Sequence, residues 1–187
     1  MKNLKKNILY QGKWITLAHT SFFDSKGSAK KWEYVERNQT NGSVSVIAIK
    51  SGNPDKIILV KQYRYPLGAY IIEFPSGLID PGESIENSAI RELKEETGYI
   101  GNTQYIGPVV YNSPGLTDEC VTSILITVNQ LHATEHDEDE SIEVIELPLK
   151  SLKKNLIRFE KEGIKIDAKL WFFADGLMFL ENNCSIF

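Results

Sequence analysis

The feature that most constrains this chain lies between Gly77 and Gly98. Gly77 is followed by five residues, Glu83, seven more residues, and then Arg91-Glu92-Leu93-Lys94-Glu95-Glu96-Thr97-Gly98. Ser84 to Thr97 contains no proline and no internal glycine, and Ala89, Leu93 and its Glu and Lys residues favour a helix. Ser84 or the Pro81-Gly82 turn can start that helix, and Gly98 stands where a C-terminus is commonly closed. Ile85, Ala89 and Leu93 recur every four residues and form an apolar stripe that must be covered. Glu92, Glu95 and Glu96 fall three and four apart, so their carboxylates crowd one face and repel unless something positive lies between them. A solvated acidic face is the bland reading of such a cluster. Its fixed spacing between two glycines argues for more.

The flanking sequence supplies strands to cover the stripe. Residues 8–23 alternate loosely and suggest one or two strands. After the turn Asp24-Ser25-Lys26-Gly27-Ser28, Lys31 to Arg37 resumes as another, so the N-terminus reads as a hairpin. Val44–Ile49 and Lys56–Tyr63 are β-branched runs suited to buried strands, and Tyr70–Phe74 is a third that leads into the glycine-bounded segment. Tyr105–Tyr111, Thr122–Val128 and Ile142–Leu147 follow as strands, and Ser151–Lys161 and Ala168–Glu181 as helices. Strands and helices mixed without strict alternation indicate an α+β arrangement with a mixed sheet flanked by helices. The division expected is an N-terminal extension over residues 1–40 and a main domain over 41–187.

At 187 residues, with 42% hydrophobic and 25% charged residues, the chain can bury one sizeable core. Its net charge of −4 gives no electrostatic reason to expect nucleic-acid binding. Cys120 and Cys184 form no metal-binding spacing and no disulfide framework. Lys2, Lys5 and Lys6 precede no long apolar run, and no stretch reaches a membrane span of about 18 apolar residues. The expectation is a cytoplasmic protein with no membrane partner.

Oxygen-only ligands such as this carboxylate trio suit a hard divalent cation, magnesium or manganese. The whole pattern from Gly77 to Gly98 resembles the Nudix box, the signature of hydrolases acting on nucleoside diphosphates linked to another moiety. One departure is Tyr99, where the box usually places a bulky aliphatic residue. The resemblance implies a Nudix α/β/α sandwich with the N-terminal β-hairpin as an addition. It also implies Glu92 and Glu96 as principal metal ligands, joined by Glu95 and by the Ser76 carbonyl, with Mg2+ as cofactor and Mn2+ able to substitute. Arg91 becomes the orienting partner of a box glutamate such as Glu83. For the general base, the position matching related enzymes is Glu140. Glu135, Asp137, Glu138 and Asp139 are alternatives in the same acidic stretch, and His132 and His136 are further candidates by residue type.

Further along, Pro114 stands sixteen residues beyond Gly98 within Ser113-Pro114-Gly115-Leu116. Taken alone this is a turn between strands. Beside the box it resembles the mark of the ADP-ribose and ADP-sugar pyrophosphatase branch. Gly12-Lys13-Trp14 and Trp32-Glu33-Tyr34-Val35-Glu36-Arg37 resemble segments of that branch in which two tryptophans from different subunits sandwich an adenine and a nearby carboxylate takes its amino group. Arg37 and Arg64 match arginines that contact a diphosphate, a role suited to a planar permanent cation. The resemblance runs from about Tyr10 to about Leu180 and includes IIEFPSGLIDPGES and IKIDAKLWFFADGL; Ser113 departs from it. It implies Mg-dependent hydrolysis of ADP-ribose to AMP and ribose 5-phosphate by a homodimer with exchanged N-terminal hairpins. The substrate-binding residues would be Trp14, Trp32, Glu33, Arg37, Arg64, Pro114, Gly115 and Leu116. Another nucleoside diphosphate sugar or an oxidised nucleoside diphosphate is the alternative substrate, and a non-catalytic ADP-ribose-binding module is the alternative class.

Overall fold

A computed structural model describes residues 5–38, 40–132 and 142–182. Three strands, β1 (Lys5–Gln11), β2 (Ile15–Phe23) and β3 (Ala29–Arg37), form an antiparallel N-terminal sheet in the order β1-β2-β3. The extension therefore has one strand more than a hairpin. The break falls at Gly12-Lys13-Trp14, where the Gly12 N–H reaches the Ile15 carbonyl at 2.8 Å and turns the chain between β1 and β2. At the next turn the Asp24 carboxylate accepts the backbone N–H groups of Lys26 and Ser28, both at 2.9 Å, a local competition that aspartate commonly wins over strand pairing.

The main sheet contains β4 (Ser43–Lys50), β5 (Lys56–Arg64), β6 (Ala69–Glu73), β7 (Ser76–Leu78), β8 (Tyr99–Tyr111), β9 (Cys120–Leu131), β10 (Glu143–Pro148) and β11 (Lys165–Ile166). Its order is β11-β6-β5-β4-β9-β8, with β10 paired to β5 and β7 to β4. The sheet is mixed: β4 with β9 and β6 with β11 run parallel, and the remaining pairs are antiparallel. One irregularity positions everything that follows. Along one edge of β4, Ala48–Lys50 pair with β5, whereas Ser43–Ser45 pair with β7. The second half of β5, from Val60 to Arg64, pairs with β6 instead. The sheet thus forks, and β7 enters the gap carrying Ser76 and Gly77.

Helices cover both faces. Ala89 and Leu93 of α1 (Ile85–Thr97) are fully buried against Val44, Val46, Ile58, Ile124 and Ile126. On the opposite face Leu152 and Leu156 of α2 (Leu152–Lys161) and Leu170 and Ala174 of α3 (Ala168–Asn182) pack on Ile57, Leu59, Ile72 and Phe74. Successive residues of β5 serve alternate cores, with Ile57 and Leu59 on one side and Ile58 on the other, as expected of a continuous apolar run buried on both faces. Full burial of each such side chain contributes about 2 kcal/mol. The result is the three-layer α/β/α arrangement expected from the sequence. Strands β7 and β11, of three and two residues, are too short to show a periodicity. Among the described residues no helix is long and apolar enough to cross a membrane.

Candidate active site

The acidic helix is fixed at both ends by its own sequence. Ser84 Oγ accepts the Asn87 N–H at 3.2 Å, capping the start of α1. Gly98 closes the end at φ +71°, with its N–H on the Lys94 carbonyl at 2.8 Å. With Ala89 and Leu93 held in the core, the neighbouring face of α1 turns toward β7.

Arg91 organises that face. Its Nε and Nη2 reach the two carboxylate oxygens of Glu83 at 3.0 Å each, a bidentate pairing. Its Nη1 donates to Glu92 at 2.8 Å and to Glu95 at 3.0 Å, and Nη2 also donates to the Leu78 carbonyl at 3.1 Å. One planar cation thereby joins the loop before α1, two carboxylates of α1 and the end of β7. The bond from Arg91 holds the Glu83 carboxyl below its ordinary range, and the same contact raises the Arg91 pKa. Both groups are locked in their charged forms. Arg91 and Glu83, linked in the expectation from sequence, are in direct contact.

Gly77 is the point of closest approach. A Cβ at that position would lie 1.9 Å from the Glu92 carboxyl carbon and 2.0 Å from one of its oxygens. No side chain fits there without displacing Glu92, so the backbone of β7 lies directly against the carboxylate. Glu96, one helical turn beyond Glu92 on the same ridge of α1, is only 7% exposed, and its Oε2 accepts the Ser76 N–H at 3.0 Å. Burial pushes its pKa up to about 8; the charges of Glu92 and Glu73 act in the same direction, and the Ser76 N–H and Arg64 oppose them. Glu73 is itself buried and bonded to Arg64 Nε at 2.8 Å.

Among the described residues, no three metal-binding side chains converge on one point. Arg91 holds Glu92 and Glu95, while Glu96 turns to Ser76. The donor set nonetheless fits a hard divalent cation. It is all oxygen, and the elevated pKa of Glu96 marks a buried carboxylate with too little positive charge around it. Glu92, Glu95 and Glu96, with the Ser76 carbonyl, are the groups that would hold such an ion.

Beside this ridge the fork in the sheet opens a cavity of about 420 Å³ whose lining includes Arg37, Arg64, Glu73, Ser76, Gly77, Asn112, Glu119 and Lys169. Arg37 and Arg64, assigned from sequence to a common role, both line this cavity. Arg37 Nε is paired with Glu119 at 2.7 Å. A second, more apolar cavity of about 550 Å³ is lined by Thr20, Phe22, Trp32, Tyr34, Tyr111, Pro114, Thr117 and Asp118. It forms because β3 docks on the loop after β8: Trp32 Nε1 donates to the Gly115 carbonyl at 3.0 Å and the Val35 N–H to the Leu116 carbonyl at 2.9 Å.

Trp32, Pro114, Gly115 and Leu116 are thus brought together, but two other expected partners are not. Trp14 lies outside both cavities, exposed beneath the Lys13 ammonium at 4.4 Å from its ring centre. Glu33 follows Trp32 directly in β3, so it points to the opposite sheet face. Glu140 lies outside the described residues. Sequence reasoning did not find Glu73, Asn112, Glu119 or Lys169. Glu73 carried a usable signal, an acid inside the apolar run Ile71-Ile72-Glu73-Phe74; the others sit in segments that read as turn or helix surface.

With this geometry in place, comparison with known proteins defines the class. Residues 40–169 match the NUDIX domain model, and the chain belongs to the Nudix family. An ADP-ribose pyrophosphatase of Saccharomyces cerevisiae is 34% identical over 89% of this chain and 78% of its own length. An ADP-sugar pyrophosphatase of Mus musculus is 35% identical over 92% of this chain and 85% of its own. An uncharacterized Nudix hydrolase of Schizosaccharomyces pombe is 39% identical over 88% and 86%. A crystal structure of an ADP compounds hydrolase, 21% identical, superposes with a TM-score of 0.69 over 97% of this chain and 95% of that one, which shows the shared fold.

Proposed function

We propose that this protein hydrolyses the pyrophosphate bond of ADP-ribose and related ADP-sugars, giving AMP and, from ADP-ribose, ribose 5-phosphate. The observation that carries the reading is the complete carboxylate ridge of α1 beside a cavity walled by Arg37 and Arg64. The names of the yeast and mouse relatives support it, because the similarity to both extends across most of the chain.

A diphosphate resists water because its negative oxygens repel a nucleophile. Mg2+, with Mn2+ able to replace it, supplies neutralising charge at the phosphate and a lowered pKa for the attacking water. The protein's own groups do the rest. Arg37 and Arg64 hold the diphosphate, their carboxylate partners Glu119 and Glu73 keeping each guanidinium in place before substrate arrives. Arg91 fixes Glu92 and Glu95 relative to β7. Water attacks one phosphorus, the bond from that phosphorus to the bridging oxygen breaks, and the other phosphate leaves. Glu140 takes the proton from the attacking water.

The nucleobase belongs on the aromatic wall formed by Trp32. Trp14 cannot reach it within one chain: the Trp14 carbonyl bonds the Asn38 N–H, six residues beyond Trp32, a separation of about 20 Å along the strand. Two rings enclosing one purine stand only about 7 Å apart, given ordinary aromatic contact. A homodimer with exchanged N-terminal extensions, residues 1–40, brings the two tryptophans together. The free thiol of Cys120 suits a reducing cytoplasm.

The test is to incubate the purified protein with ADP-ribose and Mg2+ and resolve the products by chromatography. AMP and ribose 5-phosphate in equal amounts, absent with EDTA, are expected; no AMP above the EDTA control contradicts the reading.

A further inference from the structure

One basic side chain of the forked cavity is not accounted for by the reading above. Lys169 is in the first turn of α3 and lines the same cavity as Arg64, Glu73 and Ser76. A lysine here opposes the helix dipole, whose N-terminal end favours negative charge. The chain compensates with Asp167: its Oδ1 caps the helix by accepting the Lys169 backbone N–H at 2.8 Å, and its Oδ2 holds Lys169 Nζ at 2.9 Å. The Asp167 N–H in turn bonds the Ile72 carbonyl at 3.0 Å, one residue before Glu73. Lys169 is therefore anchored to β6, with its side chain 37% exposed, and is neither a free surface lysine nor a buried structural one.

The order of the sheet says which part of a substrate it meets. Asn112 and Glu119, and the Trp32 cavity, lie on the flank of β8 and β9, while Arg64, Glu73 and Lys169 lie on the flank of β6 and β11. Strand β7, carrying Ser76 and Gly77 against the carboxylates, stands between them. A molecule with its nucleobase toward Trp32 and its diphosphate beside β7 extends its other half toward Lys169.

We propose that Lys169, preset by Asp167, is a specificity-determining residue that binds the sugar-phosphate half of the substrate. The inference rests on the activity proposed above. It predicts that the two product halves respond differently to one substitution. In the full-length protein with Mg2+, Lys169→Met should raise the inhibition constant of ribose 5-phosphate and the KM for ADP-ribose about tenfold, as loss of a half-exposed charged hydrogen bond does. Inhibition by AMP should stay within about twofold, kcat should fall less than KM rises, and Lys169→Arg should restore most of the loss. Equal weakening of AMP and ribose 5-phosphate, an unchanged KM, or failure of Lys169→Arg to restore binding at an unchanged melting temperature overturns the assignment. If the wild-type protein does not turn over ADP-ribose, the activity fails separately. Calorimetric titration of wild type and Lys169→Met with AMP and with ribose 5-phosphate then decides Lys169 by the same criterion.

Discussion

Glu96 carries the highest electrostatic cost in the site, and its behaviour should be visible without any substrate. Its folded-state pKa, about 8, lies above the ordinary 4.5, so the metal-free folded protein binds a proton that the unfolded chain has released. Stability from this group is fully present below about pH 4.5 and is lost as pH rises toward 8. Thermal melts of the metal-free protein should therefore fall in midpoint between pH 5 and pH 8, and Mg2+ should restore more at pH 8 than at pH 5. Glu96→Gln should flatten that dependence while keeping the hydrogen bond from Ser76. A midpoint independent of both pH and Mg2+ contradicts this view of Glu96. In the same variant, AMP formation from ADP-ribose should fall about a thousandfold, the scale of several kcal/mol of lost charge stabilisation, while ADP-ribose affinity is largely kept. Turnover that survives in Glu96→Gln removes this carboxylate from the chemistry.

At the scale of elements, α1 has two duties that different substitutions separate. Leu93 is wholly buried in the core, so Leu93→Ala should cost about 2–5 kcal/mol in chemical denaturation. Gly77 meets Glu92 rather than the core. Gly77→Ala should lower kcat by at least about tenfold, through displacement of the carboxylate, with a much smaller stability change than Leu93→Ala. A Gly77→Ala protein with native kinetics would mean that the close approach of β7 is incidental. The same helix shows how much was readable beforehand. Its limits, its capping by Ser84 and Gly98 and its apolar stripe follow from contacts within a few residues, which sequence spacing encodes, whereas the Arg91–Glu83 pairing, eight residues apart, comes from the family resemblance. The partners of the other arginines are not encoded in spacing either. Arg37 meets Glu119, 82 residues away, and Trp32 meets Gly115 at 83; pairings that distant depend on how β3 docks against the β8–β9 turn. Whether residues 8–23 hold one strand or two stays open in the sequence for a local reason. Only a three-residue turn, Gly12-Lys13-Trp14, divides β1 from β2, and residues 8–23 look like one loosely alternating run.

At the scale of the whole molecule, one chain leaves its proposed nucleobase site half built. Trp32 has a wall of aromatic neighbours, Trp14 is remote from it, and large apolar side chains are exposed on both the N-terminal sheet and β8, including Ile8, Leu9, Tyr10, Tyr105, Val109 and Tyr111. Light scattering coupled to size exclusion should give twice the 21.2 kDa of a single chain. Mixing Trp14→Ala with Trp32→Ala protein should yield heterodimers in which one of two nucleobase sites keeps both rings, recovering part of the activity lost by either variant alone. A monomer with full activity would contradict the exchanged arrangement. Everything at this scale still depends on whether the ridge of α1 gathers divalent cations. The most direct measurement is anomalous diffraction from crystals soaked in Mn2+, collected at an energy where manganese scatters strongly. Peaks beside Glu92, Glu96 and the Ser76 carbonyl, absent in Glu96→Gln, are the predicted result. An accessible ridge with no manganese beside it would contradict the account.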